Sequence, residues 1–222
     1  PSPKLWSPDS PFLYDLKVSL MDGEELMDEV MSYFGLRTIS VSAPLAVAFG
    51  AGVDSPEGNE ILLNGEPIFQ MGPLDQNYWP GGGLTPPSDE AVIWEVNYLK
   101  EIGCNMNRLH IKYNPNRFYY HCDRLGLLVW QDFVSAQRGN RDPDAEDSEF
   151  WFSEQKQMME KLYNHPSIVM WIIFNESWGQ HKTEEFFSRV EEMDDSRLIS
   201  VASGWYDIPG LGDIKDIHDY TF

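Results

Sequence analysis

NHPSIVMWIIFNESWGQ, residues 164–180, turns from wholly apolar to polar in one step. Ile168 to Phe174 is an unbroken apolar run, short for a helix and rich in β-branched and aromatic side chains, which predicts a strand buried on both faces. Asn175 and Glu176 follow at once. A carboxylate at the carboxyl end of such a strand is costly to desolvate unless a pocket opens there and the acid has a task in it. Trp171 and Trp178 flank it, and indole rings beside a carboxylic acid suit a sugar pocket, where a C–H face stacks and hydroxyls hydrogen-bond. The plainer reading of Asn-Glu alone is a turn cap with its carboxylate in water.

Strand and helix signals alternate on both sides of this run. Upstream, Ile61–Leu63 and Ile68–Met71 bracket a tight Asn64-Gly65 turn. Ser88 and Asp89 cap a helix with Val92, Ile93, Val96 and Leu99 at the 3.6 period, and Gly103 stops it. CNMNRLHIK, 104–112, reads as a short strand with Arg108 and His110 on one face. Phe118, Cys122 and Leu125 mark a second helix ended by Gly126. Leu127–Trp130 is the next buried strand, with Asp132 at its end, and Phe150–Tyr163 a third helix halted before Pro166. Downstream, Thr183 caps a fourth helix that buries Phe186, Phe187, Val190 and Met193. Leu198–Ala202 is a strand ending near Trp205, and Ile217–Phe222 is a last strand after a connection full of breakers.

Counted from Ile68, this gives about six strands joined by helix-length crossovers, hence parallel. Asp75, Arg108, His110, Asp132, Glu176, Trp205 and His218 fall at the carboxyl ends of successive strands, as a (β/α)8 barrel site requires, since its loops converge on one face. No G-x-G-x-x-G or Walker-type loop follows any strand, which removes the usual nucleotide-binding reason for a doubly wound sheet. The predicted fold class is therefore α/β: a partial (β/α)8 TIM barrel with about six of its eight strands, the others expected downstream. Residues 1–43 have a different character. Phe12–Leu20 and Leu36–Ser42 alternate, with Asp22-Gly23 as a hairpin-type turn between the strands. A lone hairpin is marginal in water, so this piece is expected to be the last strands of an immunoglobulin-like β-sandwich begun upstream of Pro1. Residues 44–59 read as a linker and 60–222 as the barrel.

The 222 residues carry 36 acidic against 16 basic side chains and 42% apolar residues. That suffices for one large domain, or one domain with part of another. The net charge of −20 argues against nucleic acid or an anionic membrane as the main partner. No apolar run approaches a membrane span, and the start at Pro1 is expected to be processed or truncated. Compartment is left open. Cys104 and Cys122 are expected as free thiols rather than a single bridge. No His/Cys/Asp cluster has metal-ligand spacing, so neither a structural zinc nor a cofactor is expected, while a loosely held Mg²⁺ or Na⁺ stays open. The acidic run Asp142–Glu149 reads as a solvated loop.

Several motifs together resemble glycoside hydrolase family 2. LWSPDSPFLYDLKVSL (5–20) with YFGLRTI (33–39) is similar to the end of that family's immunoglobulin-like domain, and ILLNGEPIFQMG (61–72) to its entry into the barrel. DRLGLLVWQDF (123–133) and NHPSIVMW…FNESWG (164–179) resemble its third and fourth barrel strands. The resemblance implies an exo-acting retaining β-glycosidase, of the group holding β-galactosidases, β-glucuronidases and β-mannosidases, acting on a β-linked glycoside or oligosaccharide. A β-galactosidase-like activity comes first, although Arg108-Leu109-His110 is spaced more tightly than in galactosidase-like members and WQDF leans toward the mannosidase-like pattern. By the same resemblance Glu176 is the general acid/base and Asn175 binds the sugar's 2-hydroxyl. Arg108 lies beside the catalytic nucleophile, and Tyr220 reaches that group. Asp75, His110, Asp132, Trp205 and His218 complete the expected substrate-binding set. A buried Glu176 is expected to hold its proton more tightly than an ordinary glutamate. The second carboxylate, roughly 5–5.5 Å away in retaining enzymes, is expected on a strand beyond residue 222, so these residues alone are expected to be inactive. Homo-oligomerisation of the full-length parent stays open. The alternative is a non-catalytic carbohydrate-binding protein on a degenerate barrel, which would keep Trp171, Trp178 and Trp205 but need no acid.

Overall fold

Asp22-Gly23 does reverse the chain, but into a strand that the alternation had not marked. The structure, a computed structural model, describes residues 2–42, 60–135 and 145–221. β1 (Tyr14–Asp22) and β2 (Glu25–Phe34) form an antiparallel hairpin in which Tyr14 faces Phe34 and Asp22 faces Glu25. Nearly all of both strands is exposed, so β2 carries no buried face and no period-2 contrast. The expected partner run, 36–42, instead yields β3 (Ile39–Val41). It pairs with β4 (Ile61–Leu63), which turns into β5 (Glu66–Pro67) through Asn64-Gly65. Both turn residues take positive φ, 55° and 84°, the conformation that selects Asn-Gly in a two-residue hairpin. The expected linker, 44–59, lies outside the described residues.

Five parallel strands then make one sheet whose spatial order follows the chain: β6 (Leu74–Asp75), β7 (Met106–Leu109), β8 (Leu128–Asp132), β9 (Ile168–Ile172) and β10 (Leu198–Ser200). Four helices separate them, α1 (Asp89–Glu101), α2 (Asn116–Leu125), α3 (Ala145–Leu162) and α4 (Thr183–Met193). Sequential neighbours joined by helical crossovers are the wall of a partial (β/α)8 barrel. Two strand expectations need correction. Ile68–Met71 does not join the sheet as a strand. The carbonyls of Met71, Pro73 and Asp75 instead accept from Met106, Arg108 and His110, while Pro73 has no N–H to return, so β6 shrinks to two residues. The stretch 217–221 is no strand either. Its side chains, rather than its backbone, make the contacts, as the site below shows.

Local signals explain the helices. Ser88 Oγ accepts from Ala91 N–H at 3.3 Å to cap α1, whose Val92, Val96 and Leu99 are buried. Gly126, at φ 78°, ends α2 and donates to the Cys122 carbonyl. α3 starts earlier than expected: Glu146–Glu149 is helix rather than loop, and an acidic first turn suits the helix dipole. Thr183 is the first residue of α4 rather than its cap; that position falls to Lys182.

All five β9 residues are buried. Trp171, with Ile173 just beyond the strand, packs outward against the helices, and Met170 and Ile172 pack inward. Each such side chain contributes roughly 1.5–3 kcal/mol through burial. Ile39, Val41 and Ile61 of the small sheet close over the inner residues. Polar groups fasten the same end. Arg37 donates to the carbonyls of Pro166 (3.2 Å), Ser196 (2.5 Å) and Ile168 (2.7 Å). Tyr33 O–H donates to Asp123 Oδ2 at 2.8 Å, and that oxygen lies 2.6 Å from His165 Nδ1. Cys104 and Cys122 are free thiols. Among the described residues no helix is long and apolar enough to cross a membrane.

Candidate active site

Past β9 the chain runs on to Asn175, which forms a parallel bridge with Ser203 beyond β10. Ser203 N–H donates to the Phe174 carbonyl and Glu176 N–H to the Ser203 carbonyl, each at 2.8 Å. Glu176 and Ser177 then take left-handed φ values of 49° and 62°, which for residues with a Cβ costs of order 1–3 kcal/mol each. The bridge and the Trp178 N–H bond to the Asn175 carbonyl (2.7 Å) hold that turn. Its effect is to swing the Glu176 carboxylate over the strand ends, with 16% of the side chain exposed.

Arg108, pointing inward from β7, is the hub of the site. Nε and Nη2 each reach one Asp132 oxygen at 2.9 Å, Nη2 also donates to Asn175 Oδ1 (2.8 Å), and Nη1 donates to Ser203 Oγ (2.8 Å). All four residues are buried. Burial pushes Asp132 up to about 6, with the Arg108 guanidinium pulling it back. On the other side of Ser203, its hydroxyl donates to Asp216 and lies 2.9 Å from His218 Nε2. His218 Nδ1 is 2.8 Å from Glu176 Oε1, to which Tyr220 O–H also donates. Trp205 stacks on Tyr220 with centroids 5.9 Å apart and meets His218 edge-on. His110 packs edge-on against Trp178 and lies 2.8 Å from Gln76 Nε2. A hollow of about 320 Å³, lined by Leu74, Met106, Arg108, Trp130, His218 and Tyr220, opens beside this group, a size suited to a small ligand.

The expected rise in the Glu176 pKa is reversed. Burial does pull it upward, but the hydrogen bonds from Tyr220 and His218 and the charges of His218 and His110 outweigh that, and it lies below the usual glutamate value. Burial, Arg108 and His218 lower the pKa of His110, against the pull of Glu176.

Of the expected residues, Arg108, Asp132, Asn175, Glu176, Trp205, His218 and Tyr220 come together, with His110 at the rim. Asp75 does not. Leu74 lies opposite Arg108, so Asp75 pairs in register with Leu109 and faces the helix layer. There it accepts from Lys112 Nζ at 2.9 Å in a separate cavity of about 430 Å³ that also holds Tyr78, Trp94, Glu95 and Asn107. Trp171 is likewise outward, fully buried, with its indole N–H on Asp194. Tyr220, expected on the nucleophile, meets Glu176 instead. Ser203 and Asp216 were not anticipated. Their available signals were the serine at the end of the strand next to Asn175 and the two-residue spacing of Asp216 and His218. Among the described residues no group of three or more His, Cys, Asp or Glu side chains is placed to hold a metal ion.

The Asp75 cavity gives one testable consequence. Burial and the Asp75 charge raise Glu95 to about 7 against the pull of Lys112. Between the ordinary glutamate value and 7 the folded state binds a proton that the unfolded state releases, so this group's stabilisation is full below that window and is lost as pH rises through it. Glu95→Gln should therefore flatten the fall in thermal stability across that window and leave the variant more stable than the parent at pH 8. Melting curves at pH 4, 6 and 8 check it, and an unchanged slope would refute it.

A barrel wall whose strand ends gather a carboxylic acid, an arginine hub and aromatic rings is the class that fold and site define. The chain belongs to glycosyl hydrolases family 2. The model of that family matches residues 1–37, and that of its TIM barrel domain residues 57–218. The chain is 29% identical over 206 residues to a putative β-glucuronidase of Formosa agariphila, covering 91% of this chain and 18% of that one. To a β-galactosidase of Leuconostoc mesenteroides it is 27% identical over 222 residues, covering 98% and 20%. A family 2 β-galacturonidase from Eisenbergiella tayi, solved with galacturonate bound, superposes with a TM-score of 0.71 at 25% identity, over 90% of this chain and 33% of that one. The chain thus spans about a fifth of the length of the curated relatives it matches.

Proposed function

We propose that residues 1–222 supply the acid/base half of the active site of an exo-acting retaining β-glycosidase, with a β-galactoside as the first candidate substrate. Residues 1–43 would be the last strands of an immunoglobulin-like sandwich, 44–59 a linker, and 60–222 the amino-terminal part of the catalytic barrel. The exposed apolar side chains of the β1–β2 hairpin, Leu16, Val18, Val30 and Met31 among them, support further sandwich strands against it.

The observation that carries the reading is Glu176, strained into place at a barrel strand end, mostly enclosed, and within hydrogen-bond reach of two proton-bearing groups. In the first step its proton passes to the glycosidic oxygen as a carboxylate from beyond residue 222 attacks the anomeric carbon. In the second step Glu176, now a carboxylate, takes a proton from water as the water oxygen displaces the nucleophile from the anomeric carbon. Asn175 supports the reading. Arg108 holds its Oδ1, while Nδ2, beside the His110 ring, has no hydrogen-bond partner of standard geometry. A buried amide N–H whose nearest acceptor, the His110 ring, is poorly aligned is costly, and a sugar 2-hydroxyl would satisfy it. Arg108 lies where it would also hold a neighbouring nucleophile ionised, and Trp205 with Tyr220 offers a stacking surface at the mouth.

The test is the full-length protein against nitrophenyl α- and β-glycosides, with the anomer of the first product followed by NMR. Hydrolysis confined to β-glycosides with retained configuration is expected. An inverted first product, or cleavage of α-glycosides alone, would overturn the proposal.

A further inference from the structure

Ser203 joins the arginine hub to the acid, and counting hydrogens shows in which direction. A serine hydroxyl has one hydrogen to give and two lone pairs, and here it has three partners. Its hydrogen goes to Asp216, which as a carboxylate only accepts. Arg108 Nη1, at 2.8 Å, takes one lone pair as donor. The remaining lone pair faces His218 Nε2 at 2.9 Å; with Arg108 Nη1 farther from that nitrogen, at 3.4 Å, the shorter contact assigns a hydrogen to Nε2. In the neutral ring Nδ1 is then a bare acceptor, yet it sits 2.8 Å from Glu176 Oε1. Two acceptors at that distance repel. The contact closes only with a proton between them, as neutral acid on neutral imidazole or as carboxylate on imidazolium.

We propose that Asp216, Ser203 and His218 form a relay that commits His218 and Glu176 to one shared proton, with Ser203 as a positioning residue that touches no substrate. This rests on the acid/base reading of Glu176 and adds the means by which a carboxyl group with a lowered pKa still has a proton to give. Glu176 is faced by Tyr220, His218 and His110. His218 is faced by Asp216, by Arg108 Nη1 at 3.4 Å and by the Trp205 ring. Arg108 and Asp216 thus set opposite charges beside the ring, and Asp132 pairs with Arg108 from behind. As the glycosidic C–O bond breaks, its electron pair stays on the departing oxygen and the shared proton joins it, leaving carboxylate beside neutral imidazole. In the second step the water oxygen bonds to the anomeric carbon as the bond to the nucleophile breaks and its electron pair returns to that carboxylate, and one water proton goes back to the pair, so the count is restored.

The experiment is the pH profile of kcat/KM in the full-length protein, on a β-glycoside it hydrolyses, for the parent, Ser203→Ala, Ser203→Thr, Asp216→Asn and Glu176→Gln. Without the serine oxygen Nε2 keeps no acceptor and faces Arg108. The alkaline limb of Ser203→Ala, which reports loss of the shared proton, should therefore move to lower pH by about one unit, the scale of one neighbouring interaction. Asp216→Asn should move it in the same direction, and Ser203→Thr, which keeps the hydroxyl, should restore it. A Ser203→Ala protein that is slower at every pH with its limb in place would overturn the relay and leave Glu176 as the acid. If Ser203→Ala does not fold, Asp216→Asn, at a partly exposed site, decides by the same limb. Full activity in Glu176→Gln would instead remove the acid/base reading itself.

Discussion

Glu176→Gln in the full-length protein should lower kcat on a β-glycoside with a poor leaving group by roughly 10²- to 10⁴-fold, the usual worth of a positioned general acid. The substituted amide has the size of the carboxyl and an oxygen that still accepts from Tyr220, so the fold and the left-handed turn at 176 should persist. What is lost is the proton. An activated nitrophenol leaves without protonation, so the first step on that substrate should suffer far less than on an alkyl glycoside, and the gap between the two identifies the missing role as acid rather than binding. Steady-state kinetics on both substrates check it. Equal losses on both would count against general acid catalysis, and unchanged turnover would remove Glu176 from the mechanism.

Arg108→Leu should be the most damaging change to the fold, costing about 3–5 kcal/mol, the price of leaving one member of a buried ion pair without its partner. The guanidinium makes two bonds to Asp132 and one each to Asn175 and Ser203, none of them in solvent. Deleting it strands a carboxylate that burial already raises to about 6, so Asp132 should take up a proton near neutral pH and shed part of the cost. Stability should fall more at pH 8 than at pH 5. The double variant Arg108→Leu with Asp132→Leu should recover part of the loss, since an apolar pair of fitting volume replaces a buried ion pair well. Urea midpoints at the two pH values measure both effects. A single variant as stable as the parent would mean that the hub bears no weight.

How far these features could be read from the chain depends on where each residue finds its partners. Ile168–Phe174 was legible because a strand buried on both faces leaves only apolar letters, and α1 and α2 because Ser88 and Gly126 carry their conformations in their own chemistry. β2 was not, since among the described residues nearly all of it is exposed on both faces, which leaves no alternation to read. Leu74–Asp75 was not legible as a strand, because two residues between a proline and a loop have no period, and a strand-end position alone gives no sign of which face Asp75 takes. Glu176 announced itself by following an apolar run. Ser203 did not, because nothing local distinguishes a serine that closes a network of long-range contacts from one that caps a loop. The reversal of the Glu176 pKa had the same origin: the groups that lower it, His218 and Tyr220, are more than 40 residues away.

The Arg37 fork has a mechanical meaning. It grips the carbonyls of Pro166, Ser196 and Ile168, the last of these the first residue of β9, while Tyr33 donates to the Asp123 carboxylate. Peeling the leading hairpin from the wall would bare those oxygens and an acid together. The two parts are therefore bolted rather than tethered, and heat or force should take them apart in a single event.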